Sequence, residues 1–428
     1  MDLSRQNLAI LRKIIYDTSI LIRKSEKGRN DFLDTLNGKK KNALKWTLLA
    51  IALTNMPTLA LSPATEQIRQ FFNVELATVQ TAMSSTNIVQ IGVALLMMYL
   101  INKGAITKKL AVVLGQSLFV VIVVFVLLFH NGMWTVWVLS CLIGCACGCF
   151  VTNAFGIMFD CFSDEERQGF AGLQTSSINL GGILMSLAGG LLAGLFWYGG
   201  YLVFSVGIVM AIIGILNIPA YKTPKKKLDG KRAPIKGQVF FYAVAQLLFM
   251  MSYVTVGQNL SSHLRSGGFT NFSFVAGICT SVQMAGGVCS GLFFSKLSKK
   301  LGDNIMVLSM CLLFAGLLLL SFVQSSIVLA LIAVFLCGSS LSMFNPWCTY
   351  GVSVYSDPSN SAVTSVIISA IAPSAGGFLS PVVFTNVTNA MQTGSTAFRY
   401  RFVAIFVIIV AAALFLWNRT HKGAAAKE

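Results

Sequence analysis

The chain has 428 residues, 55% of them hydrophobic and only 11% charged, and its mean hydropathy is +0.73. A water-soluble fold of this length could not keep so much apolar surface out of water, which leaves an integral membrane protein. The formal net charge of +17 does not imply nucleic acid as a partner, because the excess lies on loops and flanks rather than on a folded basic face.

Of the 32 Lys and Arg residues, 28 fall on one alternating set of loops between long apolar segments, and only Arg69, Arg265, Arg399 and Arg401 fall on the other. Translocated loops are depleted of Lys and Arg, so the rich loops and both termini are expected on the cytoplasmic side of a cell membrane.

Residues 1–45 are basic and polar, with an amphipathic stretch from about Leu3 to Ile22. They read as an arm along the inner membrane surface, held by anionic lipid. Apolar stretches of about 20 residues, the length a helix needs to cross the hydrocarbon core, then fall near 46–65, 77–101, 110–129, 134–160, 168–196, 200–219, 239–262, 271–295, 304–323, 327–355, 360–390 and 398–418. The fold class is therefore an all-α membrane protein with twelve transmembrane helices. A Lys- and Pro-containing linker at 220–238 separates a half at 46–219 from a half at 239–418, and 419–428 is a short tail.

Shifting the second half back by about 195 residues brings features into register. Gly92 then falls on Gly287, the loop 102–109 on 297–304, and Gly181-Gly182 on Gly376-Gly377. Six spans per half make the halves parallel pseudo-repeats about an axis along the membrane normal, which places a substrate site between them.

All ten cysteines lie in apolar segments or at their ends. The run Gly144-Cys145-Ala146-Cys147-Gly148-Cys149 has no histidine nearby and reads as small-residue helix packing rather than a metal site. Neither a cofactor nor a metal is expected, and His130, His263 and His421 are too scattered to form a catalytic constellation.

Twelve spans, a basic central loop and a short basic loop after the second span of each half resemble the major facilitator superfamily from about Trp46 onward. The superfamily's loop signature is degenerate here. The first copy keeps only Lys108 and Lys109; the second, Leu297-Ser298-Lys299-Lys300-Leu301-Gly302, puts Lys299 where the signature has an acid. In the family that acid belongs to a charge network closing the cytoplasmic side. Asp160 and the acidic turn at 164–166 are the available partners for Lys108, Lys109, Lys299 and Lys300, which makes Asp160 and these lysines the gate candidates.

No acidic or basic residue falls in the middle of a span, so proton coupling through a buried carboxylate is not expected unless Glu66 or Asp160 lies deeper than its sequence position suggests. Arg399 and Arg401, flanking Tyr400 at the start of the last span, read as interfacial anchors. Arg69 and His263 are vestibule candidates. The resemblance implies that the first, fourth, seventh and tenth spans form the pore. Their polar and aromatic residues, Asn55, Thr58, Asn153, Gln246, Tyr253, Gln258, Asn345, Trp347 and Tyr350, are the candidate substrate ligands; Asn87, Gln283, Asn386 and Asn389 are expected to face inward from other spans.

Amides, hydroxyls and rings suit a neutral, zwitterionic or weakly anionic small organic solute. The expected function is secondary transport of such a solute by a monomer through alternating access. A multidrug or metabolite efflux antiporter is one alternative, weakened by the absence of proline from the fifth span; a non-transporting membrane sensor on the same fold is another.

Overall fold

The computed structural model describes residues 38–221, 234–322, 325–356, 361–391 and 394–425. The amphipathic stretch at Leu3–Ile22, most of the central linker and the end of the tail lie outside the described residues.

The helices, numbered by span, are α2 (Leu76–Lys103), α3 (Lys108–Leu128), α4 (Met133–Cys161), α5 (Asp164–Ala193), α7 (Gly237–Ser266), α8 (Phe272–Leu301), α10 (Ile327–Tyr355) and α12 (Thr396–Ala425). α6 runs from Gly199–Leu202 through a short 3₁₀ turn into Val206–Asn217, and α9 begins with a 3₁₀ turn before Ile305–Phe322. α1 is broken into Gly38–Ala52, Thr58–Leu61, the turn Ser62–Ala64 and Thr65–Phe72. Among the described residues eleven helices are long and apolar enough to cross a membrane, and the broken α1 is the remaining span. It is already helical at Gly38, the first residue described there, so the helix extends ahead of the apolar run that starts near 46, through the good helix formers of Lys39–Leu48.

The break in α1 has a local cause. Pro57 has no N–H to offer the Leu53 carbonyl four residues back, and Leu53, Thr54 and Asn55 bond to Ala50, Ile51 and Ala52 in three-residue turns instead. The freed Leu53 carbonyl is where α5 approaches: a Cβ at Gly181 would collide with it. In the other half, a Cβ at Gly376, in the helical stretch Ala372–Ser380, would lie 2.5 Å from the Leu247 carbonyl of α7. The glycines aligned by the sequence repeat thus make the same close helix approach in each half.

α11 is the least regular element. It runs Ser361–Val366, a π turn at Ile367–Ile371, Ala372–Ser380, a second π turn at Pro381–Thr385 and Asn386–Ala390. Pro373 and Pro381 each remove a ladder donor, and π turns of this kind recur at functional sites.

Buried apolar side chains form two clusters, one drawn from Leu44 to Ile218 and the other from Val239 to Leu414. Contact between the halves runs along α5 with α8, α2 with α11, and α1 with α7. On α5 and α8 it is backbone on backbone: a Cβ at Gly190 would lie 2.9 Å from Gly277 Cα, and the Ser186 and Ser281 hydroxyls are 2.7 Å apart. The pseudo-twofold axis is visible in the hydrogen bonds. Ser62 Oγ donates to Gly257 O at 2.7 Å, and Glu66 N to Ser261 Oγ at 3.3 Å, each pair being separated by 195 residues. Residues equivalent in a repeat touch one another only where they flank the axis that relates the halves.

Candidate functional site

Between the halves lies a cavity of about 140 Å³, enclosed by α1, α2, α7 and α8. Thr58, Tyr253 and Gln258, expected from sequence, line it, together with Asn87 and Gln283. Gln80, Ser84, Met83 and Met284 complete much of the wall, and their amides, hydroxyl and thioethers carry no charge. The Tyr253 hydroxyl is buried with no hydrogen bond of ordinary geometry, Gln283 being its polar neighbour. Gln80 and Ser84 were legible only as polar side chains in an apolar helix.

The other candidates lie elsewhere. Gln246 is seven residues before Tyr253 on α7, about 10 Å nearer the basic end at the helical rise, and its amide bonds Asn345 Oδ1 at 3.3 Å. Asn153 donates to Cys149 O within α4 at 2.7 Å. Trp347 Nε1 points to Asp303 Oδ1 at 3.4 Å, and the buried Asn55 Oδ1 has no hydrogen-bond partner. Tyr350 is 70% exposed on α10 and does not line the cavity. Asn386 is also exposed and bonds Val382 O of its own helix, not the interior. Their depth or facing separates these residues from the cavity, which sits in the half of the bundle away from the basic loops.

That far half is closed by polar contacts across the two halves. Gln80 Nε2 donates to Gln258 O at 2.9 Å and to Asn259 Oδ1 at 3.0 Å, while Gln80 Oε1 accepts from Thr385 at 2.6 Å. Gln258 Nε2 returns a hydrogen bond to Ser84 Oγ at 2.8 Å. Gln258 and Gln80 are therefore both cavity wall and closure.

Beyond them, at the far mouth, stands Glu66. It lies past the first apolar run, yet it is only 2% exposed, deeper than its sequence position suggests. Arg69 grips it with two bonds of 2.9 and 2.7 Å, Ser262 donates to it at 2.6 Å, and Gln70 and Arg265 complete the shell. The carboxylate therefore links α1 to α7 through charge-assisted hydrogen bonds.

Arg399 departs furthest from expectation. Rather than anchoring at an interface it is 1% exposed, donating to Thr388 Oγ1 and Asn389 Oδ1 at 2.9 Å each and to Asn259 Oδ1. Arg401, two residues on and turned the other way, stacks its guanidinium 4.9 Å from the Phe322 ring centroid, as an anchor would. His263 is buried, with Nδ1 2.9 Å from Thr396 Oγ1.

At the basic end the ion pairs join helices of one half. Lys108 bridges to Asp160 at 2.7 Å, and the Tyr221 hydroxyl also reaches Asp160. Lys41 meets Glu166 at 2.8 Å, where Glu166 also closes a capping box with Ser163 at the start of α5. Lys109 donates to Ile215 O at 2.7 Å, and Lys299 and Lys300 are exposed in the last turn of α8. Two parallel six-helix repeats, a closed far end and a central uncharged cavity agree with a sequence match: the family model described as Major Facilitator Superfamily covers residues 47–381.

The chain belongs to the Major Facilitator Superfamily. Solved structures of transporters share its superfamily fold at low identity. A variant of the nucleoside transporter NupG superposes with a TM-score of 0.73 at 12% identity, covering 87% of this chain and 99% of that one. A bacterial homolog of the human lysosomal transporter Spinster, inward-facing and unoccupied, gives 0.67 at 15% identity, with 90% and 98% covered. A POT family transporter in complex with a thioalcohol-conjugated peptide gives 0.69 at 11%, with 89% and 96% covered. No curated protein sequence matches the chain. Within this superfamily fold the loop after α2 is short. Gly104 caps α2 in the left-handed region, φ 79°, and Thr107 caps α3 by accepting from Leu110 N at 3.2 Å. Lys108, the retained signature base, thereby reaches Asp160 on the neighbouring helix.

Proposed function

We propose that this superfamily member is a secondary transporter of the cytoplasmic membrane, with both termini inside, moving a small neutral, zwitterionic or weakly anionic organic solute by alternating access. The observation that carries this reading is the uncharged cavity between the halves, whose wall residues Gln80 and Gln258 also close one end. The strong bias of Lys and Arg to the opposite loops assigns that closed end to the outside. Thr58, Tyr253 and Gln258, with Gln80, Asn87 and Gln283, are the proposed substrate contacts, each offering a hydrogen bond in a largely apolar cleft. Lys108 and Asp160 are proposed to brace the cytoplasmic side of the first half rather than to lock the halves together. A monomer contains the whole cavity.

Uptake of a labelled metabolite library into proteoliposomes tests the proposal. We expect at least one small organic solute to accumulate or exchange, and Gln258→Ala to weaken its apparent affinity about tenfold, the order of one or two lost hydrogen bonds. Asn153→Ala, whose amide bonds its own helix, is expected to leave the affinity in place. If no solute moves, the sensor alternative replaces the proposal.

A further inference from the structure

Arg399 is the largest of the fully buried side chains. Its hydrogen bonds all go to neutral oxygens, those of Thr388, Asn259 and Asn389, and among the described residues no carboxylate stands within ion-pair distance. A buried guanidinium normally keeps a counter-charge, because neutral dipoles replace only part of the hydration it has lost.

The far mouth has no carboxylate to spare. Across the whole chain the far-side loops and span ends hold four arginines and only two acids, Glu66 and Glu75. Glu75 is exposed at the start of α2, and Glu66 is already shared by Arg69 and Arg265. Arg69 and Arg265 thus share the one buried acid of the closure, and Arg399 stands in the same closure with none. The chain has otherwise cleared positive charge from this side, so the excess is concentrated where a solute would enter.

The position of Arg399 gives the excess a use. Its Nη1 and Gln80 Nε2 share one acceptor, Asn259 Oδ1, and Gln80 lines the cavity. The guanidinium therefore stands one side chain behind the wall. Gln80 belongs to the first half, while Asn259, Thr388, Asn389 and Arg399 all belong to the second. When the halves part at this end, Gln80 must leave Asn259 and Thr385, and the Asn259–Arg399 layer becomes the wall of the opened mouth. The Thr385 hydroxyl then loses its Gln80 acceptor, and the guanidinium N–H groups beyond the three given to Thr388, Asn259 and Asn389 are left for an acceptor from the mouth, which a carboxylate supplies in two-pronged fashion.

We infer that Arg399 is the specificity-determining residue of this transporter, which takes small organic carboxylates: in the far-open state its guanidinium, beside the Asn259 and Asn389 amides, holds the carboxylate of the incoming solute. The inference rests on the transport reading and narrows it from neutral, zwitterionic or weakly anionic solutes to those bearing a carboxylate. A purely structural Arg399, tying α7, α11 and α12 together, would support the fold without favouring an anion.

The test uses the purified full-length chain and a library of carboxylate metabolites, each paired with its amide, such as lactate with lactamide and nicotinate with nicotinamide. Thermal stability against ligand concentration reads binding, and uptake into proteoliposomes reads transport. For the wild type, at least one acid is expected to bind tenfold or more tightly than its amide. Arg399→Gln should remove that difference and leave the amide unchanged, while Arg399→Lys should keep part of it. Should Arg399→Gln fail to fold, Asn259→Asp decides: an internal carboxylate neutralises Arg399, so melting temperature should rise while acid selectivity disappears. The inference is overturned if no acid out-binds its amide, or if acid selectivity survives Arg399→Gln or Asn259→Asp. The two readings fail separately. Acid binding lost in the variants without uptake of any solute would sink transport alone, whereas acid-selective uptake untouched by the variants would sink the role of Arg399 alone.

Discussion

Glu66 shows how a single side chain can be a lock without being a proton carrier. Two arginines, a serine and a glutamine satisfy its carboxylate, so its part in the closed far end is an ion-pair link between α1 and α7, read by hydrogen exchange in 58–72 and 257–266. Glu66→Gln removes the charge that Arg69 and Arg265 grip. Because both arginines are partly exposed, the loss is about 1.4 kcal/mol, or tenfold in the population of the closed state, and exchange in the same segments should rise by that factor. At this scale the sequence was partly legible. Thr58, Tyr253 and Gln258 stand out as polar groups in apolar spans, and they do line the cavity. Arg399 does not stand out, because its place three residues into a helix looks interfacial until Asn259 and Asn389 are seen to cover it.

Among the helices, α1 and α11 carry the irregularities and both face the partner half. Gly181 of α5 fits against the carbonyl that Pro57 leaves free in α1, so Gly181→Ala puts a methyl into backbone that cannot yield. A loss of about 1–3 kcal/mol is expected, as for other overpacked sites, read as a lowered melting temperature of the purified protein. Gly277→Ala is a different case, since its Cβ would meet Ser186 O at 2.6 Å across the halves. That clash strains the closed far end alone, so it should raise exchange at α5 and α8 with little change in melting temperature. A large drop in melting temperature for Gly277→Ala would mean that this contact holds the fold and not one conformation. The glycine register at 181 and 376 was readable from the repeat, because close helix approach demands the smallest residue in each copy. The break in α1 was readable only as a proline; which helix fills it is a tertiary matter.

Over the whole molecule, hydrogen bonds between the halves gather at the far end, while the basic-end ion pairs Lys108–Asp160 and Lys41–Glu166 stay within one half. The described state is thus closed at the end proposed to face outward. With the buried carboxylate of the closure already gripped by Arg69 and Arg265, uptake is expected to be the same with and without an imposed pH gradient in proteoliposomes. A rate rising steeply with an inward proton gradient would overturn that expectation. What the sequence determined by itself was the membrane class, the helical repeat and the superfamily resemblance, because these follow from hydropathy over about 20 residues, from the side on which Lys and Arg fall, and from a register of small residues. Only the tertiary structure decided which polar groups meet. Gln80, Asn259 and Arg399 are 179 and 140 residues apart in successive steps along the chain, and no local pattern records that folding brings them to one shared oxygen. Nor could the sequence show that Glu66 is buried, since burial at a span end depends on whether the other half of the molecule covers it.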